Sequence, residues 1–155
     1  MMQSPYLIMR PVRGAWNSLL WRLAPPRFRP LGNDRKLGFV GEKTAARFLR
    51  TRGYKILLHR FRSLYGEIDL VCRDGETLVF VEVKSRESGE DARPSDSIGS
   101  AKQLHISRSA LDYLRRLHNP DVAARFDVVE VVWAPPRPQF SLIQDAFPLS
   151  EPYTY

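Results

Sequence analysis

Two acids and a lysine stand at a spacing that allows chemistry. Asp69 lies in Gly66-Glu67-Ile68-Asp69-Leu70, and Glu82 and Lys84 lie in Phe80-Val81-Glu82-Val83-Lys84. Carboxylate oxygens are hard ligands, and two or three of them gathered together meet what Mg²⁺ or Mn²⁺ requires. An ammonium two residues beyond the second acid can orient a water, help remove its proton and offset charge growing on a phosphate oxygen. The chemistry so composed is metal-assisted hydrolysis of a phosphate ester. The blander alternative is a solvated strand face carrying mixed charges.

The elements that must position these groups are two strands, Glu67–Arg73 and Thr77–Lys84, joined by a turn at Asp74-Gly75. That turn pairs Arg73 with Glu76, Asp69 with Phe80 and Glu67 with Glu82. Asp69, Glu82 and Lys84 then share one face, joined by Glu67, because side chains alternate along a strand and paired residues share a side. Ile68, Leu70, Cys72, Val79, Val81 and Val83 make the other face, the apolar one. Like charges facing each other across a ladder destabilise it by roughly 0.2–1 kcal/mol per pair, so a sequence that collects them calls for a cation.

Two helices add to the centre. Lys36–Arg52 reads as a helix closed by Gly53, and Glu42, Ala45, Ala46 and Leu49 fall on its inward stripe. A carboxylate on that stripe needs a partner or a cation; the alternative is a first-turn glutamate favoured by the helix dipole. Ser100–His118 reads as a second helix with Gln103, Ile106, Ala110, Leu114 and Leu117 inward. Gln103 stands at its N-terminal end, with Lys102 beside it, where it can bond a ligand water or phosphate.

Strands at Tyr54–Phe61, Arg125–Trp133 and Phe140–Phe147 complete the order α-β-β-β-α-β-β, which implies an α/β fold with helices packed on a mixed sheet. Ser85–Ser97 reads as a polar loop. Residues 1–35 form a basic Pro/Arg-rich arm, 36–150 the folded domain and 151–155 a short tail. Arginines interrupt the arm's apolar stretches, so it is neither a secretory signal nor a membrane span. A net charge of +7 favours polyanionic partners, nucleic acid before an acidic membrane surface. The single cysteine, Cys72, excludes a disulfide framework and points to a reducing, cytoplasmic compartment; it reads as a core residue. Three scattered histidines make no zinc pattern. Trp133, Phe126 and Phe147 read as packing residues, and Asp127, next to Arg125, as a structural or outer acid.

Several segments together resemble the YraN-type family of predicted nucleases, which are similar to archaeal Holliday-junction resolvases. They are Gly38-Phe39-Val40-Gly41-Glu42 with Ala45, Gly66-Glu67-Ile68-Asp69-Leu70, Phe80-Val81-Glu82-Val83-Lys84 with Arg86, Lys102-Gln103, and Arg125-Phe126-Asp127-Val128. The resemblance covers about Leu37–Phe147. It implies a restriction-endonuclease-like fold, a mixed β-sheet flanked by helices. It also implies a site in which Asp69, Glu82 and Glu42 bind Mg²⁺ or Mn²⁺, Lys84 assists the attacking water and Gln103 is auxiliary.

The expected activity is hydrolysis of DNA phosphodiesters, with branched DNA and Holliday junctions among the substrates the resemblance implies. The alternative is a non-catalytic DNA-binding or adaptor protein of the same fold. A third, a membrane-surface protein using the basic arm, is disfavoured, and no stable membrane association is expected. A homodimer is a possible assembly. Retention of both acids and the lysine favours the enzyme, since an adaptor has no need of a lysine beside two acids.

Overall fold

The computed structural model describes residues 36–89, 98–118 and 121–150; the basic arm and the C-terminal tail lie outside the described residues. Helix α1 (Lys36–Thr51) is followed by strands β1 (Lys55–Arg62), β2 (Glu67–Asp74) and β3 (Thr77–Glu87), then α2 (Ser100–Arg116), β4 (Ala124–Trp133) and β5 (Gln139–Ile143). The five strands lie side by side in sequence order. All neighbours are antiparallel except β3 and β4, which run parallel and are joined through α2.

Helix α1 ends as its sequence demands. Gly53 takes φ +88°, its N–H bonds the Arg50 carbonyl at 3.1 Å, and the Tyr54 N–H bonds the Leu49 carbonyl at 3.1 Å. This pair of bonds is a Schellman closure, and Tyr54 and Leu49 pack in the same cluster, the contact that accompanies it. The expected inward stripe is buried throughout, Glu42 included.

The expectation of one apolar sheet face is corrected. Ala45, Ala46 and Leu49 of α1 pack on Leu70, Cys72, Val79, Val81, Val129 and Val131. Ile106 and Ala110 of α2 pack on Val71, Leu78, Phe80, Phe126 and Val128. The sheet is therefore sandwiched between the two helices and buried on both faces. Each fully buried aliphatic or phenyl side chain contributes about 1.5–3 kcal/mol, and Phe126 and Phe147 stack at 4.8 Å in the α2-side core. Ile68 belongs to that core, not with Leu70, because strand alternation breaks at Asp69.

Four further boundaries differ. The β2–β3 loop is Gly75-Glu76, so Asp74 pairs with Thr77 and Arg73 with Leu78, not Glu76. Strand β3 runs on to Glu87 through what read as loop, because β4 pairs with it from Leu78↔Ala124 to Glu87↔Trp133. Helix α2 stops at Arg116, with Leu117 capping it and His118 in the left-handed region at φ +61°. Strand β5 is only Gln139–Ile143; Phe147 lies beyond it and packs from an irregular segment.

At the end of the sheet formed by the C-terminus of β2 and the start of β4, a polar network is buried. The Tyr54 hydroxyl donates to Asp127 Oδ2 at 2.9 Å and accepts from Arg125 at 2.8 Å and Gln144 at 2.7 Å. Asp127, fully buried, also accepts from Arg125 Nε at 2.9 Å and the Asp145 N–H at 3.0 Å. With its oxygens satisfied, Asp127 is a structural acid.

Candidate metal centre

The opposite end, where β2 begins and β3 finishes, holds the acids. The β2–β3 register is regular up to Leu70↔Val81, and there the two strands part. Asp69 fills the fork: its Oδ2 accepts the Val83 N–H at 2.8 Å, taking the place of a backbone partner. Glu82 lies beside it, one carboxylate oxygen 3.1 Å from Lys102 Nζ at the start of α2. The other oxygen, Glu82 Oε2, is buried with no hydrogen-bond partner among the described residues.

Burial shapes the electrostatics of this pair. It pushes the Asp69 carboxyl up to about 7, reinforced by the charge of Glu82 and opposed by the Val83 N–H. Burial also raises Glu82, opposed by the ammonium groups of Lys102 and Lys84 and by a hydrogen bond with the Asp69 carboxyl. Two carboxylates are thus removed from water at one point with too little positive charge beside them. Hard oxygen donors in that condition fit a divalent cation.

A second group of acids adjoins the first. Glu42, Glu67 and Asp69 each bring a carboxylate oxygen within 4.8 Å of the others. Here the compensation is internal. Arg60 donates from Nε and Nη2 to the two oxygens of Glu42 at 2.6 and 2.8 Å, and Arg62 Nε reaches Glu67 Oε2 at 2.6 Å. Arg60 sits in mid-strand with φ +54°, a conformation that costs a non-glycine residue about 1–3 kcal/mol. Its guanidinium lies 5.3 Å from the centre of the half-exposed Phe39 ring.

Gly41 explains how Glu42 reaches the sheet. A Cβ on Gly41 would lie 2.9 Å from both Cβ and Oγ of Ser85, so only a glycine lets α1 approach β3 this closely. Ser85 Oγ in turn accepts from Trp133 Nε1 at 2.6 Å, which ties this contact to β4.

Of the residues expected from sequence, Asp69 and Glu82 come together, Glu42 reaches Asp69 through the second group, and Lys84 lies near enough for its charge to favour ionised Glu82. Gln103 is used differently. Its amide donates to the Ile98 carbonyl at 2.7 Å, steadying the loop that enters α2, and Lys102 is the residue of that helix that meets the acids. Sequence reading gave Glu67 no ligand role and passed over Arg60 and Arg62. The available signal was the charge alternation His59-Arg60-Phe61-Arg62 against Glu67-Ile68-Asp69, readable only once Arg62 is paired with Glu67.

Fold and centre define an α/β protein of mixed five-stranded sheet and two flanking helices, compatible with a restriction-endonuclease-like arrangement. The chain belongs to the uncharacterised protein family UPF0102, whose model matches residues 41–131, the family of the YraN-type resemblance. It is similar to a UPF0102 protein of Geobacter metallireducens, 43% identical over 118 residues that cover 76% of this chain and 97% of the relative. A UPF0102 protein of Symbiobacterium thermophilum is 45% identical over 115 residues, covering 74% and 98%. The family match contains every charged residue of the centre, from Glu42 to Lys102. Among the described residues no helix is long and apolar enough to cross a membrane.

Proposed function

We propose that this protein hydrolyses DNA phosphodiesters with a divalent cation, Mg²⁺ or Mn²⁺, held by Asp69 and Glu82. The observation that carries the reading is Glu82 Oε2, a buried carboxylate oxygen with no hydrogen-bond partner among the described residues, next to an Asp69 whose ionisation burial also disfavours. A bound cation supplies the missing positive charge, acidifies water and polarises a phosphate oxygen. Lys84 orients the attacking water and offsets charge on the phosphate. Lys102 holds Glu82 in place, and the net charge of +7 draws the polyanion to the site.

A second reading, DNA binding without cleavage, is favoured by the pairing of Glu42 with Arg60 and of Glu82 with Lys102, which neutralises part of the centre without metal. A cleavage assay on junction, flap, single-stranded and plain duplex DNA with Mg²⁺ and Mn²⁺ separates the two. Metal-dependent cutting of any of them is the expected result. DNA binding with no cutting under either ion would install the second reading.

A further inference from the structure

The two groups of acids share Asp69 but are balanced differently. On the Asp69–Glu82 side Lys102 pairs with one oxygen of Glu82, and the other oxygen of that carboxylate has no hydrogen-bond partner among the described residues. On the Glu42–Glu67 side a guanidinium is already built in. Arg60 grips both oxygens of Glu42 at 2.6 and 2.8 Å, and its Nε is 3.8 Å from Glu67 Oε1. The ring of Phe39 lies against the guanidinium at 5.3 Å, and the Arg60 side chain is only 20% exposed. A left-handed backbone at Arg60, inside a strand, accompanies this placement. A fork-shaped bidentate contact between guanidinium and carboxylate is among the strongest charge-assisted pairs, and a cation entering here must break both of its bonds.

We propose that Arg60 is the resident cation of the Glu42–Glu67 side, so that the centre takes one divalent ion, at Asp69 and Glu82. Glu42 then anchors the guanidinium and does not ligate the metal. This rests on the metal-centre reading above and goes beyond it by fixing the number of ions and assigning Arg60 as a positioning residue. Without Arg60, three carboxylate oxygens within 4.8 Å of one another keep only the Arg62 contact to Glu67 as compensation, and the two oxygens of Glu42 lose their guanidinium, a geometry a second hard cation fills.

Titration calorimetry with MnCl₂ on the full chain tests the assignment. The unmutated protein is expected to bind one Mn²⁺ per chain, and Arg60→Asn, which tolerates the left-handed backbone, two. The six-line Mn²⁺ spin-resonance signal should then broaden in the variant, as two adjacent ions couple. Should Arg60→Asn fail to fold by circular dichroism, Arg60→Gly keeps the same backbone and carries the test. Two ions in the unmutated protein, or one in the variant, would overturn the role of Arg60 while leaving the metal centre standing. No Mn²⁺ bound by either protein would overturn both, as would binding to the unmutated protein that Asp69→Asn leaves unchanged.

Discussion

At the scale of single residues, Lys84 and Asp69 carry separable tests. Lys84→Ala removes an ammonium but neither proposed metal ligand, so the single-turnover cleavage rate should fall by at least about a hundredfold, the scale of losing one aligned charge-stabilising group. Gel-shift affinity for the same DNA should barely change, because one lysine among many basic groups adds little to phosphate binding. Equal cleavage rates would place the activity elsewhere. Asp69 concerns stability. Its folded-state pKa, about 7, lies above the ordinary unfolded value near 3.9. Below the lower value both states are protonated and the group is neutral to folding; as pH rises towards 7 the unfolded chain ionises first and the fold loses stability. Asp69→Asn keeps a carbonyl for the Val83 N–H and removes that loss. In EDTA its melting temperature should therefore exceed that of the unmutated protein by at least about 4 °C at pH 8, with the gap closing near pH 4.5. A variant that melts lower at pH 8 would make Asp69 a purely structural group.

At the scale of elements, the proximity of Asp69, Glu82 and Lys84 was legible although the hairpin register was misjudged. The loop lies one residue further along than the Asp74-Gly75 turn predicted, but it still holds two residues, so the pairings from Leu70 to Asp74 moved by two and kept their parity. The expected partners of Asp69 and Glu67 fall beyond the point where the strands part. What could not be read was the fork. Asp69 leaves the ladder to bond Val83, and no propensity marks a side chain that replaces a backbone partner. Burial of both sheet faces did have a signal: Leu70-Val71-Cys72 and Leu78-Val79-Phe80-Val81 are continuous apolar runs, the mark of a strand covered on two sides. The Gly41–Ser85 contact belongs to this scale as well. Gly41→Ala should lower stability by about 1–3 kcal/mol, the cost of forcing a methyl into a filled space. A urea midpoint indistinguishable from that of the unmutated protein would mean that α1 does not depend on this approach.

For the whole molecule, charge is the property that acts at a distance. A net charge of +7 predicts DNA binding that weakens steeply with salt, with a log–log slope of about −0.9 for each phosphate neutralised on B-DNA. Deleting residues 1–35 should make that slope shallower without changing the preference among DNA shapes. A slope near zero in the full chain would remove nucleic acid as the partner. The two ends of the sheet also divide the labour. The Tyr54–Asp127–Arg125 network satisfies its own charges, whereas the Asp69–Glu82 end leaves a carboxylate oxygen without a hydrogen-bond partner among the described residues. Buried polar groups are thus complete where they only hold the fold and incomplete where chemistry is proposed.

The parallel pairing of β3 with β4 has a consequence in time. Glu42, Arg60, Glu67, Asp69, Glu82 and Lys84 all precede α2, so a ribosome has spelled out nearly the whole centre before the second half of the sheet exists. Until Trp133 follows Glu87, 46 residues later, β3 has no β4 beside it along a ten-pair edge rich in valine. At about 5–20 residues per second that interval lasts roughly 2–10 s. During it the nascent chain presents a bare apolar strand edge, the surface most prone to pair with a neighbouring chain. The arrival of α2 and β4 both covers that edge and delivers Lys102 to Glu82. Birth order therefore makes charge balance on the Glu82 side and escape from aggregation a single late event, with Arg60 already in place to quiet the other acids.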